Sequence, residues 1–572
     1  MPAGLTRLLS LVPGGPGSQV LLRSSDLGAG ASSASTGLDP CVAATFSAPS
    51  LLGADFLSVQ ASPVTNFSGL VPAEWRFSQP AVEVHNASFC NITVSYTHPG
   101  HNDVVNVETW LPSNGWNGRL QAVGGGGWRA GRMLLSYTTM AGAIADGYAT
   151  VTTDSSLGDA MGPASWALAI IAKHLIQNYY GKEPSYSYWN GCSQGGRQGA
   201  ALAQRYPFAY DGIIAAAPAV NWAGVLINTM WPIVYMDVTE QYPHPCELQQ
   251  LTALAVSACD GLDGVEDGLI ADTNTCKNIF DPFSYVGSEF HCSLTGKSAN
   301  ISSTAAAVAN AMWTGPVTAE NESTYLYGLE MGTDLTFGAQ TSCTEDGKCT
   351  SLPNAAVTLL LAYFIGKDPE INTTKISLNG LERAYHSFRQ QYDSYLGTDD
   401  PDLSSFRDAG GKMITFHGLA DPTIPPNNTL NYYKEVLAHQ DDAQDFYRYF
   451  PVPGLGHCWG GPGGGQPIAL FDQLRAWVEN GTAPESSPVT ITKPDNTHEN
   501  QIVCPFPRKA FYNETILGKP PVPNLHEIPE NASHSTSRKR IRPREIGMRH
   551  PECKALKNSS GRPTASVPDQ PA

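Results

Sequence analysis

Hydrophobic and polar residues repeat with strand-like and helix-like periods over the first part of the chain. Residues 92–96 (Ile-Thr-Val-Ser-Tyr) have the two-residue period of a strand, and residues 166–180 have the spacing of a helix that ends at Gly181. A strand at 186–189, a turn, a second helix and an apolar strand at 212–217 follow. This order predicts a mostly parallel sheet with helices on both of its faces.

The pattern is interrupted in the middle of the chain. Between residues 223 and 400 the regular alternation disappears, and cysteines, glycines and aromatic residues become frequent. The pattern then returns with strand 412–416, helix 429–439, strand 446–452 and helix 468–480. A block flanked by two halves of one pattern is typical of an insertion, most simply a lid.

These boundaries divide the chain into five segments. Residues 41–222 and 401–515 are predicted to form the two parts of one catalytic domain, with residues 223–400 as the inserted lid. Residues 1–40 are rich in Gly and Ser, and residues 516–572 form a basic tail rich in Pro and Ser. We expect both ends to be disordered, and the N-terminal end to be incorrectly predicted coding sequence.

The composition excludes two classes of partner. The chain has a net charge of −17 and only 15% charged residues, whereas binding to nucleic acid needs clustered Lys and Arg. No segment reaches the roughly 20 apolar residues that cross a membrane. We therefore expect a loop-rich globular protein that binds neither nucleic acid nor a membrane.

Cysteines and glycosylation sequons indicate an oxidising compartment. The sequence has twelve cysteines, an even number that suits disulfides, and eleven Asn-x-Ser/Thr sequons. The first residues disagree, because Pro13 interrupts the leucine-rich run that a signal peptide would need. We give more weight to the cysteines and sequons and predict a secreted protein.

The segment Gly191–Gly195 fits the Gly-x-Ser-x-Gly pattern of a nucleophile elbow. In such an elbow the serine lies in a strained turn between a strand and a helix, where Cβ atoms on its neighbours would clash. A predicted strand before the pattern and an amphipathic helix after it match that context. The pattern therefore predicts Ser193 as a nucleophile.

A candidate acid and a candidate base follow in the chain order that such a site requires. Asp421 follows the strand at 412–416, so it should lie at the carboxyl end of the sheet, where Ser193 also emerges. His457 lies in a glycine-containing loop after the next predicted strand. His417 precedes the acid at the end of a strand, and we interpret it as structural.

Four consecutive glycines at 124–127 are the candidate for the remaining part of such a site. Without Cβ atoms, a backbone can bring its N–H groups close to a developing oxyanion. The predicted donors are the N–H of Gln194 and one N–H from Gly126 or Gly127. The alternative is a merely flexible loop.

Two cysteines are neighbours of the predicted nucleophile and base. Cys192 precedes Ser193, and Cys458 follows His457. If the serine and the histidine are within hydrogen-bonding distance, the two sulfurs come close enough to pair. The rival interpretation, Cys192 as a thiol nucleophile, fails because a cysteine in a disulfide cannot attack.

An acidic segment indicates a metal. Four carboxylates lie among glycines, at Asp260, Asp263, Glu266 and Asp267. They repel one another unless a cation neutralises them, and hard oxygen ligands on a flexible loop suit calcium. The spacing is not that of an EF-hand. A different calcium-binding loop is favoured over a solvated acidic turn.

Together, the Cys192–Ser193 dipeptide, Asp421 and the His457–Cys458 dipeptide resemble the tannase and feruloyl esterase family of secreted fungal and bacterial esterases. The resemblance extends from about residue 41 to residue 512. It implies an α/β-hydrolase fold with a large inserted lid that binds calcium and covers the aromatic part of the ester.

The resemblance also implies particular ligands and disulfides. Calcium would be bound by the side chains of Asp260, Asp263 and Asp267 and by the backbone carbonyls of Val265 and Leu269. Disulfides would join Cys41 to Cys90 and Cys259 to Cys276. Further candidate pairs are Cys246–Cys292 and Cys343–Cys349, whereas the pairing of Cys504 and Cys553 stays open.

The predicted function is that of a secreted serine carboxylic ester hydrolase that acts through an acyl-enzyme. Its substrates would be small or polysaccharide-linked esters of hydroxycinnamic acids such as ferulic acid, and no organic cofactor is expected. A tannase acting on galloyl esters is the alternative. Tannases of the family tend to carry Asp directly after the nucleophile, and its feruloyl esterases tend to carry Thr. This chain has Gln194 at that position, so the resemblance does not decide between the two substrates. A catalytically inactive hydrolase fold that serves as a binding module is the alternative of another class.

Overall fold

A computed structural model describes most of the chain. The described residues are 40–155, 165–318, 320, 326–345, 347–352, 357–358, 360–368, 376–510 and 552–553. Apart from residues 40 and 552–553, the segments 1–40 and 516–572 that were predicted to be disordered lie outside these ranges. None of the helices in the described ranges combines the length and the apolar character that crossing a membrane requires.

The strands fall into one large sheet and four two-stranded sheets. In chain order they are β1 (Asp55–Val71), β2 (Val82–Thr97), β3 (Val105–Pro112), β4 (Arg119–Val123), β5 (Ala149–Thr153), β6 (Tyr186–Cys192), β7 (Gly212–Ala216), β8 (Glu289–Cys292), β9 (Lys297–Asn300), β10 (Thr341–Cys343), β11 (Cys349–Ser351), β12 (Lys412–Gly418), β13 (Tyr447–Val452), β14 (Ser487–Thr492), β15 (His498–Val503), β16 (Lys509–Ala510) and β17 (Glu552–Cys553).

The helices cover both faces of the large sheet and fill the middle of the chain. They are α1 (Leu134–Ala145), α2 (Ser165–Tyr180), α3 (Gln194–Arg205), α4 (Trp222–Thr239), α5 (Pro245–Cys259), α6 (Thr273–Ile279), α7 (Ser303–Thr314), α8 (Leu378–Leu396), α9 (Ser404–Asp408), α10 (Pro426–His439) and α11 (Leu470–Asn480), with a π-helix at Leu360–Ile365 before α8.

The large sheet has nine strands in the order β1-β2-β3-β5-β4-β6-β7-β12-β13. The run from β5 to β13 is parallel throughout, whereas β1, β2 and β3 are antiparallel additions at one edge. The predicted mostly parallel α/β sheet is therefore confirmed. The long β1–β2 hairpin was not predicted from the sequence; only its residues 92–96 were expected to form a strand.

The pairing of β7 with β12 positions the site. Ile213 lies beside Met413 although 200 residues separate them, so the chain leaves the sheet after β7 and returns to the neighbouring position. The described residues between these strands form helices α4 to α9, the π-helix and two short hairpins. Those helices enclose hydrophobic clusters of their own, one of which contains Trp231 and Phe388.

Five disulfides join described cysteines. They are Cys41–Cys90, Cys192–Cys458, Cys246–Cys292, Cys259–Cys276 and Cys343–Cys349. Three of them, Cys246–Cys292, Cys259–Cys276 and Cys343–Cys349, lie within the segment between β7 and β12.

Candidate active site

Ser193 lies in a sharp turn between β6 and α3. Its backbone has φ 62° and ψ −118°, and its N–H donates to the carbonyl of Ala216 on the adjacent strand at 3.0 Å. A non-glycine residue in this region is strained by about 1–3 kcal/mol, which surrounding contacts must offset. A Cβ on Gly191 would lie 2.7 Å from the backbone of Gly195, so the turn requires glycine there. The predicted elbow is thus present, with Ser193 at its tip.

His457 joins Ser193 to Asp421. Its Nε2 lies 2.8 Å from Ser193 Oγ, and its Nδ1 lies 2.7 Å from Asp421 Oδ2. A carboxylate only accepts hydrogen bonds, so the proton of the neutral ring is on Nδ1 and Nε2 is free to accept from the serine hydroxyl. The three side chains therefore form one hydrogen-bonded chain, at distances suited to proton transfer.

The strand ends account for this convergence. Asp421 follows β12, His457 follows β13, and Leu419 N–H donates to Val452 O at 2.8 Å across the two loops. A Cβ on Gly418 would lie 2.1 Å from the carbonyl oxygen of Leu455, so glycine at 418 lets the two loops touch. The carboxyl ends of adjacent parallel strands thus bring Asp421 and His457 together.

Asp421 is completely buried and fully hydrogen-bonded. Its Oδ1 accepts from the N–H groups of Thr423 at 2.7 Å and Ile424 at 3.0 Å. Its Oδ2 accepts from His457 and also from Nε2 of His417 at 2.9 Å. Burial opposes ionisation, but the two histidines outweigh it and hold the pKa of the Asp421 carboxyl well below its usual value.

His417 is the residue whose role the sequence analysis missed. The interpretation as structural rested on its place before the acid, yet the ring contacts the acid directly. Its place four residues before Asp421 indicates that the two lie close together, but nothing in the sequence gives the direction in which the ring turns.

The glycine loop 124–127 touches the start of α3. Gly195 N–H donates to Gly125 O at 3.1 Å, and Gly125 N–H donates to Gln198 Oε1 at 3.1 Å. Within the described part of the chain, the N–H groups of Gln194, Gly126 and Gly127 have no protein acceptor. These predicted donors are therefore available to an oxyanion formed at Ser193.

A cluster of aromatic side chains lies at the end of this loop. Trp128 directly follows the glycines, and its ring lies 5.7 Å from that of Trp222 and 5.1 Å from that of Phe364. Trp222 opens α4, and Phe364 belongs to the π-helix. The segment between β7 and β12 thus contributes apolar rings beside the oxyanion donors.

The acidic loop 260–269 follows α5 and turns on itself. Both oxygens of Asp260 accept backbone N–H groups, from Asp267 and Gly268 at 2.9 Å each and from Leu269 at 3.3 Å. Gln501 donates to Asp267 Oδ2 at 2.7 Å, and Val265 N–H donates to Asp263 Oδ1 at 3.2 Å. The five residues predicted as ligands thus lie in one compact loop.

Two aspartates of this loop have raised pKa values. Burial, together with the charges of Asp267 and Asp260, raises the pKa of Asp263 to about 7, and burial likewise raises that of Asp267. Leu269 is only 4% exposed, yet among the described residues no N–H donates to its carbonyl or to that of Val265. Buried and partly buried carboxylates together with unpaired carbonyls are the donor set that calcium binds, so these residues fit the ion.

The aspartates are nevertheless more widely spaced than in a preformed cage. Among described residues, the group of three His, Cys, Asp or Glu side chains whose ligand atoms lie within 4.8 Å of one another is His244, Cys246 and Cys292. That group is not a metal site, because both of its sulfurs belong to one disulfide. The acidic loop would therefore need its backbone carbonyls as well as its carboxylates to surround an ion.

Comparison with known proteins identifies relatives. The sequence profile described as "Tannase and feruloyl esterase" matches residues 90–517. A probable feruloyl esterase of Arthroderma benhamiae is 33% identical over 500 residues, which cover 82% of this chain and 90% of that protein. A tannase of Aspergillus oryzae is 26% identical, over 74% and 83% of the two chains.

A solved structure agrees with these relatives. The tannin acyl hydrolase from Aspergillus niger superimposes with a TM-score of 0.73 at 27% identity, covering 83% of this chain and 93% of that one. The profile match spans most of the chain, so the resemblance predicted from the Cys-Ser, Asp and His-Cys residues is confirmed. The chain belongs to the tannase and feruloyl esterase family and is a carboxylic ester hydrolase.

Proposed function

We propose that this protein is a secreted serine esterase that cleaves esters of aromatic acids through an acyl-enzyme, with Ser193 as nucleophile, His457 as base and Asp421 as the supporting acid. The observation that carries the proposal is the hydrogen-bonded chain from Ser193 Oγ through His457 to Asp421, with distances of 2.8 and 2.7 Å. A binding module without activity would have no need of this complete arrangement.

Acylation of Ser193 is the first half of the proposed reaction. Ser193 Oγ attacks the ester carbonyl carbon while His457 Nε2 accepts the hydroxyl proton, and Asp421 stabilises the imidazolium that forms. The oxyanion of the tetrahedral intermediate receives hydrogen bonds from Gln194 N–H and from the glycine loop. His457 then protonates the leaving alcohol, the C–O bond breaks and the acyl group stays on Ser193.

Deacylation uses the same groups. Water replaces the alcohol, and His457 takes its proton as the oxygen attacks the acyl carbon. The second tetrahedral intermediate collapses, the proton returns to Ser193 Oγ and the carboxylic acid leaves. No step in this sequence passes through a metal.

Esters of hydroxycinnamic acids such as ferulic acid are the first choice of substrate. The Arthroderma relative is named a probable feruloyl esterase, and the rings of Trp128, Trp222 and Phe364 beside the oxyanion donors suit a flat aromatic acyl group. Galloyl esters are the second candidate, because the superimposed structure is a tannin acyl hydrolase.

Calcium is proposed as a structural ion of the acidic loop. Its ligands would be the carboxylates of Asp260, Asp263 and Asp267 and the carbonyls of Val265 and Leu269, and its charge would neutralise the buried carboxylates. Secretion is supported by the five disulfides, since such bonds persist in oxidising compartments.

A substrate panel tests the proposed activity. Purified protein is assayed with methyl ferulate, methyl caffeate, methyl sinapate and methyl gallate, with p-nitrophenyl acetate as a small unselective ester and Ser193→Ala as the control. We expect the highest kcat/KM with a hydroxycinnamate. Preference for gallate would favour the tannase alternative, and hydrolysis of none of these esters by folded protein would reject the proposal.

A further inference from the structure

His417 is a second histidine on the carboxylate of Asp421. Its Nε2 lies 2.9 Å from Asp421 Oδ2, the same oxygen that His457 Nδ1 approaches to 2.7 Å. Both His417 and Asp421 are fully buried. In the proposed reaction His457 alone shuttles the proton, so a second, buried imidazole on the same oxygen needs its own explanation.

The partners of His417 define its protonation. Nε2 also lies 3.1 Å from the carbonyl oxygen of Ile424, and a carbonyl can only accept. The proton is therefore on Nε2, shared between Ile424 O and Asp421 Oδ2. Nδ1 lies 2.8 Å from Thr429 Oγ1 and accepts from that hydroxyl. A neutral ring satisfies every one of these contacts, so His417 is a fixed donor to the acid.

These contacts hold the acid independently of His457. The two backbone N–H groups of Thr423 and Ile424 bind Oδ1 of Asp421, and His417 binds Oδ2 from β12. The hydroxyl of Thr429 on α10 fixes the His417 ring in turn. Asp421 thus meets His457 already ionised and already oriented.

The titratable groups that face one another here come from three elements. His417 belongs to β12, Asp421 to the loop after it, and His457 to the loop after β13, while α10 contributes the neutral Thr429 and the elbow contributes Ser193.

Loss of the His417 donor would make the Asp421 carboxylate more basic. Either His457 would then hold a proton more tightly or Asp421 itself would become protonated, and both outcomes remove the active form at low pH.

We propose that His417 is the positioning residue of this site: it donates to Oδ2 of Asp421, the oxygen that also faces His457, keeps the acid ionised and directed at His457, and thereby sets the lower pH limit of activity. The proposal rests on the assignment of Ser193, His457 and Asp421 given above. The hydrogen-bond partners of His417 are Thr429, Asp421 and Ile424, and it reaches Ser193 only through Asp421 and His457.

The test compares variants with and without a donor at position 417. His417→Leu and His417→Met fill the site without a donor, and His417→Gln offers an amide N–H in a similar position. kcat, KM and the pH dependence of kcat/KM are measured with the best ester of the panel, and the fraction of competent serine is counted with a fluorophosphonate probe.

We expect the two donor-free variants to lose roughly 10- to 100-fold in kcat with little change in KM, less than the ~10⁴-fold loss caused by an amide in place of a triad acid. The acidic limb of their pH profile should move upward by about one pH unit, and His417→Gln should restore part of the rate and the original limb. A donor-free variant that folds and keeps the wild-type rate and profile would overturn the proposal.

A merely structural role would lower the melting temperature and the fraction of competent serine while leaving the profile of the remaining enzyme unmoved, which would also overturn the proposal. If neither donor-free variant folds, a neutron structure of the wild type decides, since a ring that carries its proton on Nδ1 alone cannot donate to Asp421. Absence of any ester turnover by the wild type would instead reject the proposed function.

Discussion

Cys192 and Cys458 are joined by a disulfide with their Cα atoms 6.0 Å apart, and each is the immediate neighbour of a residue in the hydrogen-bonded chain. Cys458 also has a positive φ of 68°, so the bond holds a strained backbone next to His457. It therefore ties the elbow to the histidine loop across 266 residues. Removing it should disturb the distance between Ser193 and His457 as well as global stability.

The double variant Cys192→Ala/Cys458→Ala tests this link. We expect unfolding to become easier by about 2–5 kcal/mol and kcat at low temperature to fall at least tenfold, because the two loops lose their covalent connection. The matched control is Cys41→Ala/Cys90→Ala, which opens a bond at the β1–β2 edge and should reduce the melting temperature while leaving kcat near wild type. Equal kcat in the two double variants would contradict the link.

Removal of the proposed nucleophile or base should abolish turnover. Ser193→Ala and His457→Ala are each expected to lower kcat on the order of 10⁶-fold, because the groups act as a unit, and Asp421→Asn about 10⁴-fold. His439→Ala, at an exposed histidine at the end of α10, is the control and should behave as wild type. Retention of a tenth of the activity by Ser193→Ala would show that another residue is the nucleophile.

Alanine substitutions at two neighbouring positions of the glycine loop 124–127 should differ sharply in their effect on kcat. A Cβ at Gly125 would lie 2.1 Å from Arg129 O, so Gly125→Ala must displace the loop, whereas a Cβ at Gly126 would meet Leu135 at an ordinary 3.4 Å. We expect Gly125→Ala to lose roughly 10²–10³-fold in kcat, the effect of one lost oxyanion donor. Gly126→Ala keeps its backbone N–H and should stay within a few fold of wild type. A larger loss of kcat in Gly126→Ala than in Gly125→Ala would show that this loop does not supply an oxyanion donor.

Removal of calcium should lower the melting temperature more than it lowers turnover. An ion that binds only the folded state stabilises it by about 2.7 kcal/mol at a hundredfold excess over its Kd, so chelation should lower the melting temperature. Asp263→Asn should reproduce that loss, and Glu266→Gln, an exposed carboxylate in the same loop, should not. Metal analysis of the purified protein accompanies the melting curves. If the purified protein contains no calcium, and neither chelator nor Asp263→Asn changes its melting temperature, the loop is a solvated acidic turn and not a calcium site.

The parts of the site that were predictable are those encoded by short sequence patterns. Glycine spacing around Ser193 specifies a turn that few other residues can adopt, and parallel-strand order specifies that Asp421 and His457 meet at one edge. Helix starts were less accurate: the helix predicted from 429 begins at Pro426, because proline suits the first helical turn and extends the helix beyond its periodic part.

The contact of His417 was not predictable in the same way. Chain order places it near the acid, but no pattern states which way a strand-end ring turns, and that depends on Thr429 from a helix that follows the acid. The β1–β2 hairpin was missed for a related reason. Its outer strand is mostly exposed and its pairing is interrupted by register shifts, so its sequence lacks the regular buried alternation that identifies strands.

The direct pairing of β7 with β12 has a consequence for how this enzyme can be altered. The chain leaves β7 at its carboxyl end, Ala216, and re-enters β12 at Lys412, which pairs with Gly212 at the amino end of β7, so the intervening segment must span the sheet by about 13 Å. The register of Ile213 beside Met413 is a pairing between the two strands themselves. Replacing the intervening helices with the corresponding segment of a relative should therefore transfer substrate preference, provided that the new segment keeps the carbonyl at position 396 to which Arg197 of α3 donates.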